Sequence, residues 1–325
     1  MRIVMTGAAG MVGRKLTARL LADGRLRGQA ITDLHLHDVV PSEAVSANGI
    51  DVHVYSGDLS DPGAIDALVA TKPDVIFHLA GVVSGEAETD FDKGYRVNLK
   101  GTADIYDAVR AAGIHPRIVF TSSIAVFGAP FPSVIPDDFH LTPLTSYGTQ
   151  KMIGEALLAD YTRKGIFDGI GIRLPTICVR PGKANKAASS FFSNIIREPL
   201  AGEEALLPVP REVMHTHASP RSAVGFLIHA AEIDGDKVGP RRNLTMPGVG
   251  VTVGEQIEAL RRIAGDKTVT LIREARDDAV AKIVSGWPTR FEAKRARDLG
   301  FAAEETFDAI IMAHIEDELG GKIPG

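Results

Sequence analysis

The chain of 325 residues contains one cysteine, Cys178, and one tryptophan. A lone thiol closes no internal disulfide and builds no multi-cysteine metal site, and it fits a reducing compartment. Aromatic residues are scarce, at 6%, which argues against a surface made to stack nucleic-acid bases. Positive charge is not in excess either. With 36 Lys and Arg against 41 Asp and Glu, the formal net charge is −5, and no basic face for a nucleic-acid partner is advertised. A long apolar run is missing too. The longest uncharged stretch, Ile118 to Pro136, is broken by Gly128, Pro130 and Pro132, so no membrane span is expected. The opening MRIVMTGAAG carries one positive residue and an apolar run that stops at glycine, unlike a signal peptide. These absences predict a cytoplasmic protein with neither a nucleic-acid nor a membrane partner.

What is present is an alternation of short apolar runs and helical periodicities. Strands are expected at Arg2–Thr6, Leu34–His37, Val52–Tyr55, Asp74–Leu79, Arg117–Ser122 and Gly169–Leu174. Helices are expected between them: Met11–Asp23, Asp61–Ala70 with Asp61 as N-cap and Pro62 in the first turn, Asp90–Ala112, and Ser146–Arg163. This order predicts an α/β fold, a Rossmann-type doubly wound parallel sheet over residues 1–175. A smaller substrate-binding region is expected over 176–325, with helices at Arg221–Ala231, Gly254–Ala264 and Ala303–Glu318 and one return of the chain to the sheet around 213–231.

Gly7, Gly10 and Gly13 in TGAAGMVG follow the first strand and open the first helix. Glycines there permit a tight turn and close backbone approach to a pyrophosphate, which then faces the helix N-terminus. A glycine triplet alone is weak; the strand before it and the helix after it give it weight. Asp38 ends the second strand, where a carboxylate accepts hydrogen bonds from ribose hydroxyls and repels a 2′-phosphate. The residues after it, Val39 and Val40, offer no arginine, so NAD is expected rather than NADP. Asp58 and Leu59, in GDL after the third strand, suit the adenine.

Tyr147 and Lys151 in YGTQK lie four apart on an expected helix and so share a face. A nearby ammonium stabilises a phenolate and makes tyrosine a plausible base. Ser123 lies near the carboxyl end of the fifth strand, where ligands bind in open α/β sheets; Ser122 is read as a strand-end cap. TGAAGMVG, Asp38, GDL, HLAG (78–81), VNLKGT (97–102), TSSIAVFG and YGTQK together resemble the extended short-chain dehydrogenase/reductase family, which includes NAD-dependent epimerases and dehydratases. The resemblance covers about residues 1–182. It implies that Ser123, Tyr147 and Lys151 are catalytic, that Lys151 also holds the nicotinamide ribose, and that Asn98 sits near the nicotinamide. It further places Met11, Val12, Leu79, Ala80, Gly81 and Pro175 against the cofactor. A homodimer through the helices at 90–113 and 146–163 is also implied.

Two departures bear on the substrate. The family's RxxNxxGP segment has Thr176 in place of its sugar-nucleotide asparagine, and its histidine-valine-Asp-Asp run is replaced by His217-Ala-Ser219-Pro220-Arg221. Segments 173–202 and 218–224 resemble members that oxidise the C2 hydroxyl of a four-carbon sugar acid; a nucleotide-sugar 4-epimerase is the alternative. From Arg173 to Arg197 there are five cations (Arg173, Arg180, Lys183, Lys186, Arg197) and no Asp or Glu, which suits a small anionic substrate. Ser84, Ser123, Thr176, Arg180, Asn185, Lys186, His217 and Arg221 are the candidate substrate contacts. No metal is expected: His35-x-His37 and His215-x-His217 have no third ligand nearby in sequence.

Overall fold

The computed structural model describes residues 1–42, 47, 49–182 and 189–323. Its centre is a seven-stranded parallel sheet. The strands are β1 (Arg2–Thr6), β2 (Asp33–Asp38), β3 (Asp51–Ser56), β4 (Val75–His78), β5 (Arg117–Ser123), β6 (Asp168–Leu174) and, later in the chain, Asn243–Thr245. In space the order runs from Asn243–Thr245 through β6, β5, β4, β1 and β2 to β3. The order reverses between β1 and β4, and the crevice at such a switch is where open α/β sheets bind ligands.

Both faces of the sheet are covered, which is why strands such as β5 (RIVFTSS) are buried almost throughout rather than alternating. One face packs Ile3, Met5, Leu34 and Leu36 against α1 (Met11–Asp23) and a later helix, Pro220–Glu232. The other face packs Val4, Ile76, Ile118 and Phe120 against α2 (Ala64–Val69), α3 (Gly101–Ala112) and α4 (Ser146–Arg163). Each fully buried Ile, Leu or Phe contributes about 1.5–3 kcal/mol. A separate apolar cluster beyond residue 175 joins Phe192, Ile195 and Ile196 of α5 (Ser190–Leu200) to Ile257 and Ile310. Beside it lies a three-stranded sheet of β7 (Thr176–Ile177), β8 (Met214–Ala218) and Val249–Thr252.

Three local expectations differ from the structure. The helix foreseen from Asp61 starts at Ala64, because Gly63 adopts φ 82°; Asp61 instead shapes the turn, its carbonyl accepting from Ala64 N at 3.1 Å. The single helix foreseen over 90–112 is three segments, with a π-helical turn at Tyr95–Lys100 between Phe91–Gly94 and α3. The chain also reaches the large sheet again as the edge strand Asn243–Thr245, beyond the one return foreseen at 213–231.

Candidate active site

At the end of β1 the backbone turns at Gly7, which has φ 76° and sits so close to β4 that a Cβ there would lie 2.6 Å from Ala80 N. Gly13 is equally constrained, since a Cβ would run into the Gly7 and Ala8 carbonyls. These two positions let α1 begin directly against the sheet. Gly10, the residue before α1, offers no side-chain cap, and the first turn holds no acid. The leading N–H groups of the helix are therefore free for an anion. Met11 and Val12 lie partly buried at that helix start.

Asp38 closes β2 next to this turn. Its carboxylate accepts from Ala9 N at 2.9 Å and Val40 N at 3.2 Å, which fixes it at the carboxyl edge of the sheet. Asp58 is held differently. Burial raises its pKa, but hydrogen bonds from Ser60 and Arg96 outweigh that and hold it at about 2. Ser60 donates from its N at 2.9 Å and its Oγ at 2.7 Å, and Arg96 forms an ion pair. Leu59 is buried beside it. Leu79, Ala80 and Gly81 continue from β4, with Leu79 N donating to Thr6 O at 3.0 Å. The turn, the uncapped helix and Asp38 together fit a dinucleotide.

Thr145 caps α4 by accepting from Gly148 N at 3.1 Å, and this sets Tyr147 and Lys151 on one face of the helix. The Tyr147 hydroxyl hydrogen-bonds Ser123, whose Oγ also accepts from Ala125 N at 3.1 Å. Burial raises the Tyr147 pKa, while the Ser123 bond and the Arg180 charge pull the other way. Lys151 Nζ lies 5.8 Å from the Tyr147 ring centre and 4.9 Å from that of Phe120. Burial lowers its pKa to about 8, against the opposing pull of Glu155. Arg180 adds a second positive charge that acts on the Tyr147 hydroxyl. Asn98 is buried in the π-helical turn; it accepts from Val82 N at 2.8 Å and donates to Gln150 Oε1 at 2.8 Å. Behind the site, the His78 ring shares hydrogen bonds with Thr6 Oγ1 at 2.7 Å and Thr102 Oγ1 at 2.9 Å. Burial and the nearby Lys151 lower its pKa to about 3.

Of the three cations of the positive segment among the described residues, two are neutralised by carboxylates. Arg173 is buried and forks onto Glu155, with Nε at 2.9 Å from Oε1 and Nη2 at 2.7 Å from Oε2. Ser122, read from sequence as a cap, instead donates to the same carboxylate at 2.5 Å. Arg197 pairs with Glu198 and donates to Arg180 O at 2.7 Å. Arg180 itself donates to Ile177 O at 2.9 Å and Ser189 Oγ at 2.7 Å, and among the described residues it has no carboxylate partner. Pro175 is buried between β6 and β7, and Ser84 starts a short helix after β4.

The remaining candidates divide. Thr176 is turned to His215, with Oγ1 2.7 Å from Nε2. His217 is a correction: rather than bordering an open pocket, it is fully buried, its Nε2 2.9 Å from Gln256 Nε2 and its ring against Phe192 and Phe307. Arg221 is another: its guanidinium is held by Glu316 and Asp317 near the C-terminal helix, at 2.9 and 2.6 Å, so it is not a free cation. Asn185 and Lys186, with Lys183, lie outside the described residues. Glu155 was missed; its partners Ser122 and Arg173 lie on separate strands, and only an acid one helical turn after Lys151 hinted at it.

A profile of the NAD dependent epimerase/dehydratase family matches residues 3–218. D-erythronate dehydrogenase of Cupriavidus necator is 46% identical over 321 residues, 98% of each chain. D-erythronate dehydrogenase of Haemophilus influenzae is 40% identical over 319 residues, 98% of this chain and 100% of the other. A crystal structure described as the nucleoside-diphosphate-sugar epimerase from Agrobacterium tumefaciens is 63% identical and superposes with a TM-score of 0.98, covering 100% of this chain and 96% of that one.

Proposed function

The chain belongs to the NAD dependent epimerase/dehydratase family and is an NAD-dependent oxidoreductase, and on that footing we propose that it oxidises the C2 hydroxyl of a four-carbon sugar acid, D-erythronate, to the 2-oxo acid. The observation that carries this reading is Arg180. It is a guanidinium without a carboxylate partner among the described residues, and its charge reaches the Tyr147 hydroxyl. A substrate carboxylate supplies the missing counter-ion, and a planar fork of donors suits it. The full-length likeness to two D-erythronate dehydrogenases supports the same substrate class.

The residues divide the work as follows. Gly7, Gly10 and Gly13 with the N-terminus of α1 take the pyrophosphate, and Asp38 takes the adenosine ribose. NAD supplies the hydride acceptor when bound. Tyr147 removes the C2 hydroxyl proton, and Ser123 holds that oxygen. Lys151 binds the nicotinamide ribose and, with Arg180, favours the phenolate; Arg180 orients the acid end. Asn98 braces the loop at Val82 beside the nicotinamide position.

A nucleotide-sugar 4-epimerase is the second reading, favoured by the description of the 63%-identical structure. Against it, Thr176 is engaged by His215 where the family's asparagine would meet a sugar nucleotide. The two are separated by following NADH formation at saturating NAD with C3–C6 sugar acids and, separately, epimer formation from UDP-sugars. Net NADH with D-erythronate and no UDP-sugar conversion is expected. Epimerisation without net NADH overturns the reading.

A further inference from the structure

Far from Tyr147 along the sheet, the register of β2 on β3 brings together three side chains that are scattered in sequence. His35 is aligned with His53 across the strand pair. Asp33 lies two residues before His35 and so on the same face of β2. The two imidazoles stack, with ring centres 4.6 Å apart. Asp33 Oδ1 lies 3.8 Å from His53 Nε2, and one ligand atom from each of the three residues falls within 4.8 Å of the others. Around a tetrahedral zinc with bonds near 2.0–2.1 Å, ligand atoms are about 3.3 Å apart. Binding needs one ring, that of exposed His53, to rotate out of the near-parallel stack so that both nitrogen lone pairs face the ion.

Two further features fit a metal. Metal-bound histidines commonly engage their second ring nitrogen in a fixed hydrogen bond. His35 Nδ1 is 3.0 Å from the Tyr55 hydroxyl, while its Nε2 is buried without a partner. Asp33 is braced likewise, its Oδ2 accepting from Thr32 Oγ1 at 2.6 Å, which leaves Oδ1 directed at His53. The His53 side chain is 46% exposed and that of Asp33 28%, so an ion reaches the site from solvent and His53 is free to turn out of the stack. Of the neighbouring cations, Arg2 is tied back to the Thr71 carbonyl, and the N-terminal ammonium donates to Ala30 O at 2.9 Å and Thr32 Oγ1 at 3.3 Å.

We propose that Asp33, His35 and His53 form a site for one divalent transition-metal ion of the zinc class, with water completing the shell, and that the ion clasps edge strand β3 to β2. Two imidazoles and one carboxylate suit Zn2+, Ni2+ or Cu2+ better than the oxygen-seeking Mg2+ or Ca2+. The experiment is calorimetric titration of the tag-free, full-length protein with Zn2+ alone, with Co2+ absorption to report the coordination shell. The expected result is one ion per chain, a raised thermal midpoint with Zn2+, and affinity at least ~10-fold weaker in His53→Gln and Asp33→Asn. His53 is exposed, so its replacement leaves the fold intact even where a change at buried His35 would not. Equal zinc binding by wild type and His53→Gln, or no stoichiometric binding by the wild type, overturns the proposal.

Discussion

On the cofactor side, the turn at Gly7 and the carboxylate of Asp38 stand at the ends of neighbouring strands, and α4 adds Tyr147 one turn from Lys151. On the proposed substrate side, Thr176 is fixed by His215, 39 residues away, and Arg180 by Ile177 and Ser189, 3 and 9 residues away. The first region is built from strand ends and helix starts, which leave recurring short motifs. The second is built from individual side-chain contacts, which leave none. The cofactor side is therefore the more legible of the two.

The sharpest break between the two sides is expected from Tyr147→Phe. Loss of the proton acceptor should lower kcat by about 10²–10⁴-fold, while NAD binding, read by fluorescence or calorimetry, stays within about twofold. Equal loss of both would mean that the tyrosine belongs to the cofactor side alone. Next comes Glu155→Gln, which joins the two sides. It leaves Arg173 buried without its counter-charge, and breaking such a pair costs about 3–5 kcal/mol. Urea unfolding should show this directly, with the loss shared by Ser122 and Arg173 variants rather than added to theirs.

Arg180→Met tests the substrate side by itself. A hydrogen bond to a charged group is worth about 1.5–3 kcal/mol, so KM for a sugar acid should rise by about 10–100-fold. A comparable alcohol without the carboxylate should show little change. An equal effect on both would move Arg180 from acid recognition to support of Tyr147.

The same contrast explains what could be read in advance. The glycine turn, Asp38 and the Tyr147–Lys151 pair were legible because each depends on neighbours in sequence. The fork of Arg173 onto Glu155 was not, because composition shows five cations and no acid between Arg173 and Arg197 while the neutralising carboxylate comes from α4. Arg221 misled for the same reason, its partners Glu316 and Asp317 arriving from the far end of the chain. The π-helical turn holding Asn98 was hidden because one wide turn barely disturbs a helical apolar period.

Acid sensitivity compares the two sides most finely. His78 on the cofactor side and His215 on the substrate side are both buried, and burial lowers their pKa values from 6.5 to about 3 and about 4. Lowered folded values mean that the unfolded chain binds the extra proton first. Each histidine's contribution is thus fully present above pH 6.5 and is lost as pH falls, at up to about 1.4 kcal/mol per pH unit. Both folded forms protonate only well below pH 6.5, His215 at about 4 and His78 at about 3. Urea titrations should therefore show a flatter acid limb in both His78→Asn and His215→Asn between pH 6.5 and 4. A limb as steep as wild type in either variant would mean that burial does not hold that histidine neutral.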